Sequence, residues 1–115
     1  MKLIIAGTRT FCGYHLMEEE WEDNYAGRVA EIVSGCARGA DNWGRHLAAN
    51  KGIPTKLFPA EWELYGKRAG FRRNVEMAEY ADELLAFWDG VSSGTRHMIQ
   101  QMRILGKPVK VVKYV

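Results

Sequence analysis

Short apolar runs alternate along this chain with longer stretches whose apolar residues have helical spacing, and this alternation constrains the fold most. The short runs are predicted strands, at Lys2 to Ala6, Val29 to Val33, Thr55 to Phe58, Glu83 to Trp88 and Val109 to Val112. Strands that alternate with helices form right-handed crossovers and a parallel sheet with helices on both faces. The prediction is therefore a single Rossmann-like α/β domain over residues 1–115, with five parallel strands in the order 3-2-1-4-5.

The stretches between the strands predict four helices, at about 12–26, 40–50, 70–80 and 94–105. Their periodicity indicates which side chains face the core. In the third helix these are Phe71, Val75 and Ala78, and in the fourth they include Leu105. The segment around Trp62, between the third strand and the third helix, is predicted as a loop.

The composition is that of an ordinary globular domain, with 26% charged residues and a net charge of +2. That charge is too small to indicate nucleic-acid binding by itself.

No apolar run is long enough to span a membrane, and the N-terminal run is too short for a signal peptide, so we expect a cytoplasmic protein that does not bind membranes. The two cysteines lack metal-binding spacing. We predict no metal and no cofactor.

Three of the predicted strands are followed by glycine-bearing loops that lead into helices. Their residues are candidate ligand-binding residues: Gly7, Thr8 and Arg9 after the first strand, Ser34, Gly35, Arg38, Gly39 and Asp41 after the second, and Asp89, Ser92, Ser93, Gly94 and Thr95 after the fourth. Ligands of open parallel sheets bind beyond the carboxyl ends of the strands. Glycine lets backbone amides approach a ligand, and a helix N-terminus attracts anions. These loops therefore predict a phosphate site, although Ser93 or Thr95 could simply cap a helix.

Arginines accompany the glycine loops. Arg9 and Arg38 lie within them, and Arg72, Arg73 and Asn74 lie near the start of the third helix. Arginine is suited to bidentate phosphate binding. A helix dipole disfavours cations at its N-terminus, so a nearby anion would offset the cost of placing them there. The sequence lacks G-x-x-x-x-G-K-[ST], G-x-G-x-x-G, G-x-S-x-G and H-E-x-x-H, so no standard nucleotide or hydrolase motif assigns the site.

Four segments carry a resemblance to a known family: IAGTRTF, SGCARGAD, RNVEM and SGTRHMI. In combination they resemble the YspA-related branch of the SLOG superfamily, which is named for the DNA-processing protein DprA (Smf) and the LONELY GUY enzymes. The resemblance covers nearly the whole chain. It implies a Rossmann-like nucleotide-binding domain, a nucleotide-derived ligand such as AMP, ADP-ribose or an NAD-derived molecule, and self-association into a homo-oligomer.

Enzymes of this superfamily cleave the N-glycosidic bond of nucleoside 5′-monophosphates with an arginine and a glutamate. The resemblance places Arg73 at the position of the arginine, as a candidate catalytic residue. Met98 stands where the glutamate would be, and a methionine can neither activate water nor stabilise an oxocarbenium-like centre. Asp89, Asp41 and Glu61 are the candidate carboxylates to replace it, and Asp89 is the second candidate catalytic residue.

Three functions stay open. The favoured one is binding of a small nucleotide-derived ligand, with Arg9, Arg73, Gly94 and Thr95 on phosphate, Asp41 or Asp89 on a ribose hydroxyl, and Trp88 or Trp62 stacked on a base. The second is an N-glycosidic hydrolase with a displaced carboxylate. The third is a DNA-associated role, which would require the basic residues Arg28, Arg38, Arg45, Lys51, Arg68, Arg72 and Arg103 to gather on one face.

Overall fold

The central strand, β1, pairs in parallel with β2 on one side and with β4 on the other. The computed structural model describes residues 1–114. Its strands are β1 (Lys2–Gly7), β2 (Glu31–Ser34), β3 (Thr55–Leu57), β4 (Glu83–Trp88) and β5 (Val109–Lys113), and its α-helices are α1 (Tyr14–Asn24), α2 (Ala40–Lys51), α3 (Trp62–Tyr65), α4 (Ala69–Tyr80) and α5 (Ser93–Ile104). All pairings are parallel in the order β3-β2-β1-β4-β5, which confirms the predicted Rossmann-like sheet.

Helices cover both faces of the sheet, as predicted. Side chains alternate between the faces of a strand, so Leu3 and Ile5 of β1 point to one side and Ile4 points to the other. The first side packs against α1 and α2 through Met17, Trp21 and Leu47 among others. The second packs against α4 and α5 through Met77, Ala78, Met98 and Met102. The sheet is therefore buried on both faces along β1 and β4.

The segment predicted as a loop around Trp62 forms the short helix α3, followed by a 3₁₀ turn at Gly66–Arg68. Neither element contains a buried residue, so no apolar periodicity marks them in the sequence. The expected inward position of Phe71 is wrong, since its side chain is 48% exposed. The buried side of α4 instead carries Asn74 and Met77. Leu105 is likewise exposed, because it lies just beyond the end of α5.

At the amino end of the sheet, the connecting segments bind one another. The Lys2 amide donates to Asp82 Oδ2 at 2.8 Å, and the Ala30 amide donates to the carbonyl of Met1 at 2.9 Å. Lys107 Nζ donates to the carbonyls of Ala78 and Ala81, each at 2.7 Å, at the C-terminus of α4. A cation at this position is favoured by the helix dipole and satisfies carbonyls that the helix leaves unpaired.

Within residues 1–114, no helix combines the length and apolar character that crossing a membrane requires. The same part of the chain contains no group of three or more His, Cys, Asp or Glu side chains placed to share a metal ion.

Candidate functional site: a cleft at the carboxyl end of the sheet

A cleft of about 340 Å³ lies at the carboxyl end of the sheet, between α4 and the start of α5. It brings together nine of the residues selected from the sequence: Gly7, Arg9, Asp41, Arg73, Asn74, Ser92, Ser93, Gly94 and Thr95. A second hollow of about 590 Å³ shares Arg9, Ala37, Trp62 and Arg73 with the cleft and also contains the predicted residues Gly35 and Arg38. Residues of all three glycine loops therefore meet at this edge.

The amino end of α5 lies in the wall of the cleft without a side-chain cap. Ser92 has non-helical dihedral angles, and its side chain makes no hydrogen bond to the first-turn amides. The Thr95 hydroxyl donates to Ser92 Oγ at 3.3 Å, and the Arg96 amide donates to the Ser92 carbonyl at 3.1 Å. The capping that Ser93 or Thr95 could have provided is thus not made. The first-turn amides and the positive end of the dipole are available to an anion.

Asp89 shapes the loop that leads into this helix. Its Oδ1 accepts hydrogen bonds from the amides of Val91 and Ser92, both at 2.8 Å, and these bonds lower the pKa of the Asp89 carboxyl. Asp89 does not line the cleft, and neither does Trp88, whose indole donates to the Ser92 carbonyl at 3.1 Å. Asp89 is therefore a turn residue, and Trp88 is not placed to stack on a ligand in the cleft.

Arg73 projects from α4 between the cleft and the second hollow. Its Nη1 donates to the Gly35 carbonyl, and its Nε donates to Asn74 Oδ1 at 3.1 Å. Burial lowers the pKa of the Arg73 guanidinium, while the charge of Asp41 acts in the opposite direction. Arginine stays protonated despite such shifts, so Arg73 places a fixed, half-buried positive charge against the β2 loop.

Asp41 lies beneath the cleft in the first turn of α2 and is only 4% exposed. Its Oδ2 accepts from the Ala37 amide at 3.3 Å, and the nearby backbone amides of Gly7 and Gly35 also favour the charged form of its carboxylate. Burial raises the pKa of Asp41 to about 6, although Arg73 and these amides oppose the shift. A Cβ atom on Gly35 would lie 2.6 Å from Arg73 Nη1 and 2.7 Å from Asp41 Oδ2. Glycine at this position therefore leaves both charged groups where they are, whereas a larger residue would displace them.

Asn74 connects α4 to α5 beside the cleft. Its Oδ1 accepts from Arg73, and its Nδ2 donates to the Gly94 carbonyl at 3.2 Å and lies 3.2 Å from His97 Nδ1. Burial lowers the pKa of His97, which favours a neutral ring that accepts from Asn74. This buried amide therefore fixes both the arginine and the start of α5.

The remaining predicted residues lie outside the cleft. Thr8 Oγ accepts from the Asp89 amide at 3.1 Å, and the Ser34 hydroxyl donates to the Asp41 carbonyl at 3.2 Å. Gly39, at φ 72°, packs against the Thr8 carbonyl. Arg72 points away and lies over the Tyr65 ring. The sequence reasoning missed Lys67 and Phe71 as lining residues, because one follows the unpredicted helix α3 and the other was assigned to the core.

Comparison with curated proteins identifies a phage relative of this chain. No family model matches the chain, and no solved structure matches it. The Gene 61 protein of Mycobacterium phage D29 is 42% identical over 85 residues, which cover 68% of this chain and 67% of the phage protein. The chain therefore belongs to the same family as the Gene 61 protein of Mycobacterium phage D29.

Proposed function

We propose that the cleft binds the phosphate group of a nucleotide or nucleotide-derived molecule such as AMP, ADP-ribose or an NAD-derived compound. The observation that carries this proposal is the uncapped amino end of α5, which shares one cleft with Arg73 and Arg9. Backbone amides, a helix dipole and arginine are the groups that proteins use to hold phosphate. The resemblance to the YspA-related branch of the SLOG superfamily, to which we assign the chain as part of this proposal, supports the same ligand class.

The rest of such a ligand has partners near the phosphate position. Trp62 is 52% exposed and lines both the cleft and the second hollow, so its ring is placed to stack on a base. Asp41 lines the floor of the cleft, where its carboxylate can accept from a ribose hydroxyl. The second hollow extends from Arg73 to Arg38 and provides room for a ligand larger than a mononucleotide.

Calorimetry with AMP and ADP-ribose tests the proposal. Arg73→Ala removes the buried charge, and Gly94→Val adds a side chain at a position where a Cβ meets no atom within 4 Å, so the fold tolerates it while the cleft narrows. We expect each change to weaken binding by about tenfold or more. Arg72→Ala is the matched control, since Arg72 does not line the cleft, and it should bind like the wild type. Equal affinity in all four proteins would contradict the proposal.

A second candidate function is hydrolysis of an N-glycosidic bond, and the position of Asp41 favours it. Of the three carboxylates considered as replacements for the missing glutamate, Asp41 lines the cleft, whereas Asp89 and Glu61 do not. In this reaction water gives a proton to the carboxylate and attacks the anomeric carbon, and the glycosidic bond breaks. A purine or pyrimidine then leaves with uptake of a proton, whereas nicotinamide leaves as the neutral molecule and the proton is released. A carboxylate with a pKa of about 6, such as Asp41, can act as the proton acceptor that activates the water.

Release of free base from nucleoside monophosphates and NAD-type dinucleotides separates binding from turnover. Under the hydrolase candidate, the wild type releases base and Asp41→Asn does not, although both bind the nucleotide. If the wild type binds AMP and releases no base from any of these compounds, the chain is a binding protein alone.

The structure gives no support to the DNA-associated role. Arg28 pairs with Glu83 at 3.1 Å and Lys51 pairs with Glu22 at 2.9 Å, so acidic groups offset these charges. Arg45 lies on α2 and Arg72 lies on α4, and these helices cover opposite faces of the sheet. The basic residues thus do not form the continuous surface that a nucleic-acid backbone requires.

A further inference from the structure

A groove of about 710 Å³ runs between α2 and the start of β3, apart from the candidate cleft. Trp43, Ala49 and Ile53 form its apolar part, and it also contains the exposed arginines Arg38 and Arg45. Among the described residues, none that lines this groove is acidic. Over the same part of the chain, neither arginine forms an ion pair. The groove therefore combines apolar surface with positive charge that the protein does not neutralise.

Strand β3 forms one edge of the sheet, because it pairs with β2 alone. The Pro54 carbonyl accepts from β2 at 2.9 Å, and the Phe58 amide donates to β2 at 2.8 Å. In a parallel ladder the backbone groups of alternate residues point to opposite sides, so those of Thr55 and Leu57 point away from β2. Within residues 1–114, these outward amides and carbonyls have no backbone partner. Such an edge can pair with an added strand.

Short length and an outward-facing lysine are two features that protect edge strands from pairing. Strand β3 is short, but Lys56 is turned toward the α4 side of the sheet. Its Nζ lies 5.8 Å from the centre of the Phe58 ring and 5.9 Å from that of the Tyr80 ring. The side chains of Thr55 and Leu57 alternate with it and lie on the α2 side, where Thr55 lines the groove. A strand added here would project every second side chain over the groove.

We propose that β3 and the groove bind an extended acidic segment of another protein, which adds a strand to this edge of the sheet. Its backbone pairs with Thr55 and Leu57, and its alternate side chains enter the groove. A polypeptide is the occupant that fits, because the phosphates of a nucleic acid cannot supply the alternating donors and acceptors of a strand. Charge complementarity makes the segment acidic, since its side chains meet Arg45 and Arg38.

The positions of the charges specify the order of side chains in the segment. Helix α2 begins at the carboxyl end of the sheet and runs back toward the start of β3. Ile53, Arg45 and Arg38 therefore follow one another along the direction of β3. One apolar side chain over Ile53 is followed, at two-residue steps, by acidic side chains that reach the two arginines. An exposed ion pair contributes little by itself, so the backbone bonds of the added strand supply the rest of the affinity.

Amide proton–nitrogen correlation spectra of the full chain test the proposal with a defined probe, the peptide Glu-Thr-Glu-Thr-Val-Thr-Glu-Thr-Glu. This sequence reads the same in both directions, so either orientation of the added strand presents the same side chains. We expect the amide signals of Thr55 and Leu57 to shift on titration and their hydrogen exchange to slow. The same peptide with glutamine in place of every glutamate is the matched probe, and it should bind about fivefold more weakly.

Two variants separate the role of the charge from that of the edge. Arg45→Glu should weaken binding of the acidic peptide by about tenfold, because repulsion replaces attraction. Arg103→Glu, the same charge reversal on the exposed side of α5, is the matched control and should bind like the wild type. Leu57→Pro removes an outward amide and leaves the bonds to β2 in place, so it should fold and bind about fivefold more weakly. Circular dichroism verifies that each variant is folded.

Nucleotide binding is a separate property of the chain. Arg45 lines neither the candidate cleft nor the second hollow, so Arg45→Glu should bind AMP like the wild type. Equal binding of the two peptides, binding of neither, or shifts that spare Thr55 and Leu57 overturns the proposal. Shifts of these two amides on concentrating the protein alone, or with oligothymidylate in place of the peptide, also overturn it, because the edge would then bind a second copy or a nucleic acid.

Discussion

Lys107 and the start of α5 lie at opposite ends of the same parallel sheet, and each end presents hydrogen-bond donors to its surroundings. Lys107 donates to the carbonyls at the end of α4, so its ammonium group is hydrogen-bonded within the protein. At the other end, Ser92 makes no side-chain cap and Arg73 makes its bonds to Gly35 and Asn74 beside an open cleft. The helix dipole acts in both places. The comparison indicates that the candidate ligand site lies where the chain leaves a helix end without a side-chain cap.

The largest expected effect is a difference in stability between substitutions at Gly39 and Gly52. These two glycines have similar φ values and lie at the two ends of α2. A Cβ on Gly39, at φ 72°, would lie 2.2 Å from the Thr8 carbonyl oxygen, whereas one on Gly52, at φ 68°, meets no atom within 4 Å. We expect Gly39→Ala to lower the free energy of unfolding by about 4 kcal/mol. Gly52→Ala should lower it by only about 1 kcal/mol. Urea denaturation measures both, and equal losses would contradict the close contact of the β1 and β2 loops.

The next effect concerns the buried carboxylate of Asp41. Its pKa is about 6 in the folded protein against an ordinary value of 3.8, so between these pH values the folded state binds more protons than the unfolded state. Stability contributed by protonated Asp41 is complete below about pH 4 and is lost as the pH rises through 6. It amounts to about 3 kcal/mol.

Denaturation of the wild type and Asp41→Asn at a series of pH values isolates this contribution. The unfolding free energy of the wild type should fall relative to that of the variant between pH 4 and 6 and should change little above pH 7. Sulfate stays doubly charged over this range, so its affinity should rise more on acidification in the wild type than in Asp41→Asn, because only the wild type loses the negative charge of Asp41. A difference that does not depend on pH would contradict the buried placement of Asp41.

A smaller effect on the free energy of unfolding is expected at the amino end of the sheet, where Lys107 binds the end of α4. Lys107→Met removes the donor to the end of α4 while keeping much of the side chain, and we expect a loss of about 1–2 kcal/mol in the free energy of unfolding. Nucleotide affinity should not change. Lys110→Met, which removes only an exposed pair with Glu20, is the control and should cost less than about 1 kcal/mol. Weakened nucleotide binding in Lys107→Met would show that the two ends are coupled.

The smallest effect distinguishes a turn residue from a ligand-contacting residue. Asp89→Asn keeps the Oδ1 acceptor for the amides of Val91 and Ser92, so stability should change by less than about 0.5 kcal/mol. Nucleotide affinity and any base release should remain at the level of the wild type. Loss of either in a folded variant would place Asp89 in the functional site after all.

The two central strands, β1 and β4, follow from the sequence because buried parallel strands are nearly continuous apolar runs. The predicted limits of β4, Glu83 to Trp88, agree with the structure. Helix α3 could not be predicted in this way, since a single exposed turn has no apolar period to detect. Phe71 was assigned to the core because it has helical spacing from the other apolar residues of this helix, Val75 and Ala78. The buried position on α4 belongs to Asn74, whose hydrogen bonds to Arg73 and Gly94 are invisible to a hydropathy pattern.

Candidate site residues were predictable where a general rule placed them beyond the carboxyl ends of strands, as for Gly7 and Gly94. Arg73 was selected instead as a cation near the start of a helix and from the family resemblance. Their roles were less predictable. Whether Asp89 contacts a ligand or forms a turn depends on hydrogen bonds to amides two and three residues away. The raised pKa of Asp41 depends on burial among β1, β2 and α4, which no local sequence pattern describes.

The central position of β1 has a consequence for the growing polypeptide on the ribosome. Leu3 pairs with Ile32, 29 positions later, but also with Glu83, 80 positions later. A nascent chain can thus complete one flank of its sheet while the other flank is still untranslated. Because the first turn of α5 is synthesised after β4, the candidate cleft is completed only once β1 to β4 have been translated. A nucleotide bound there, as proposed, would select chains whose synthesis has passed that point.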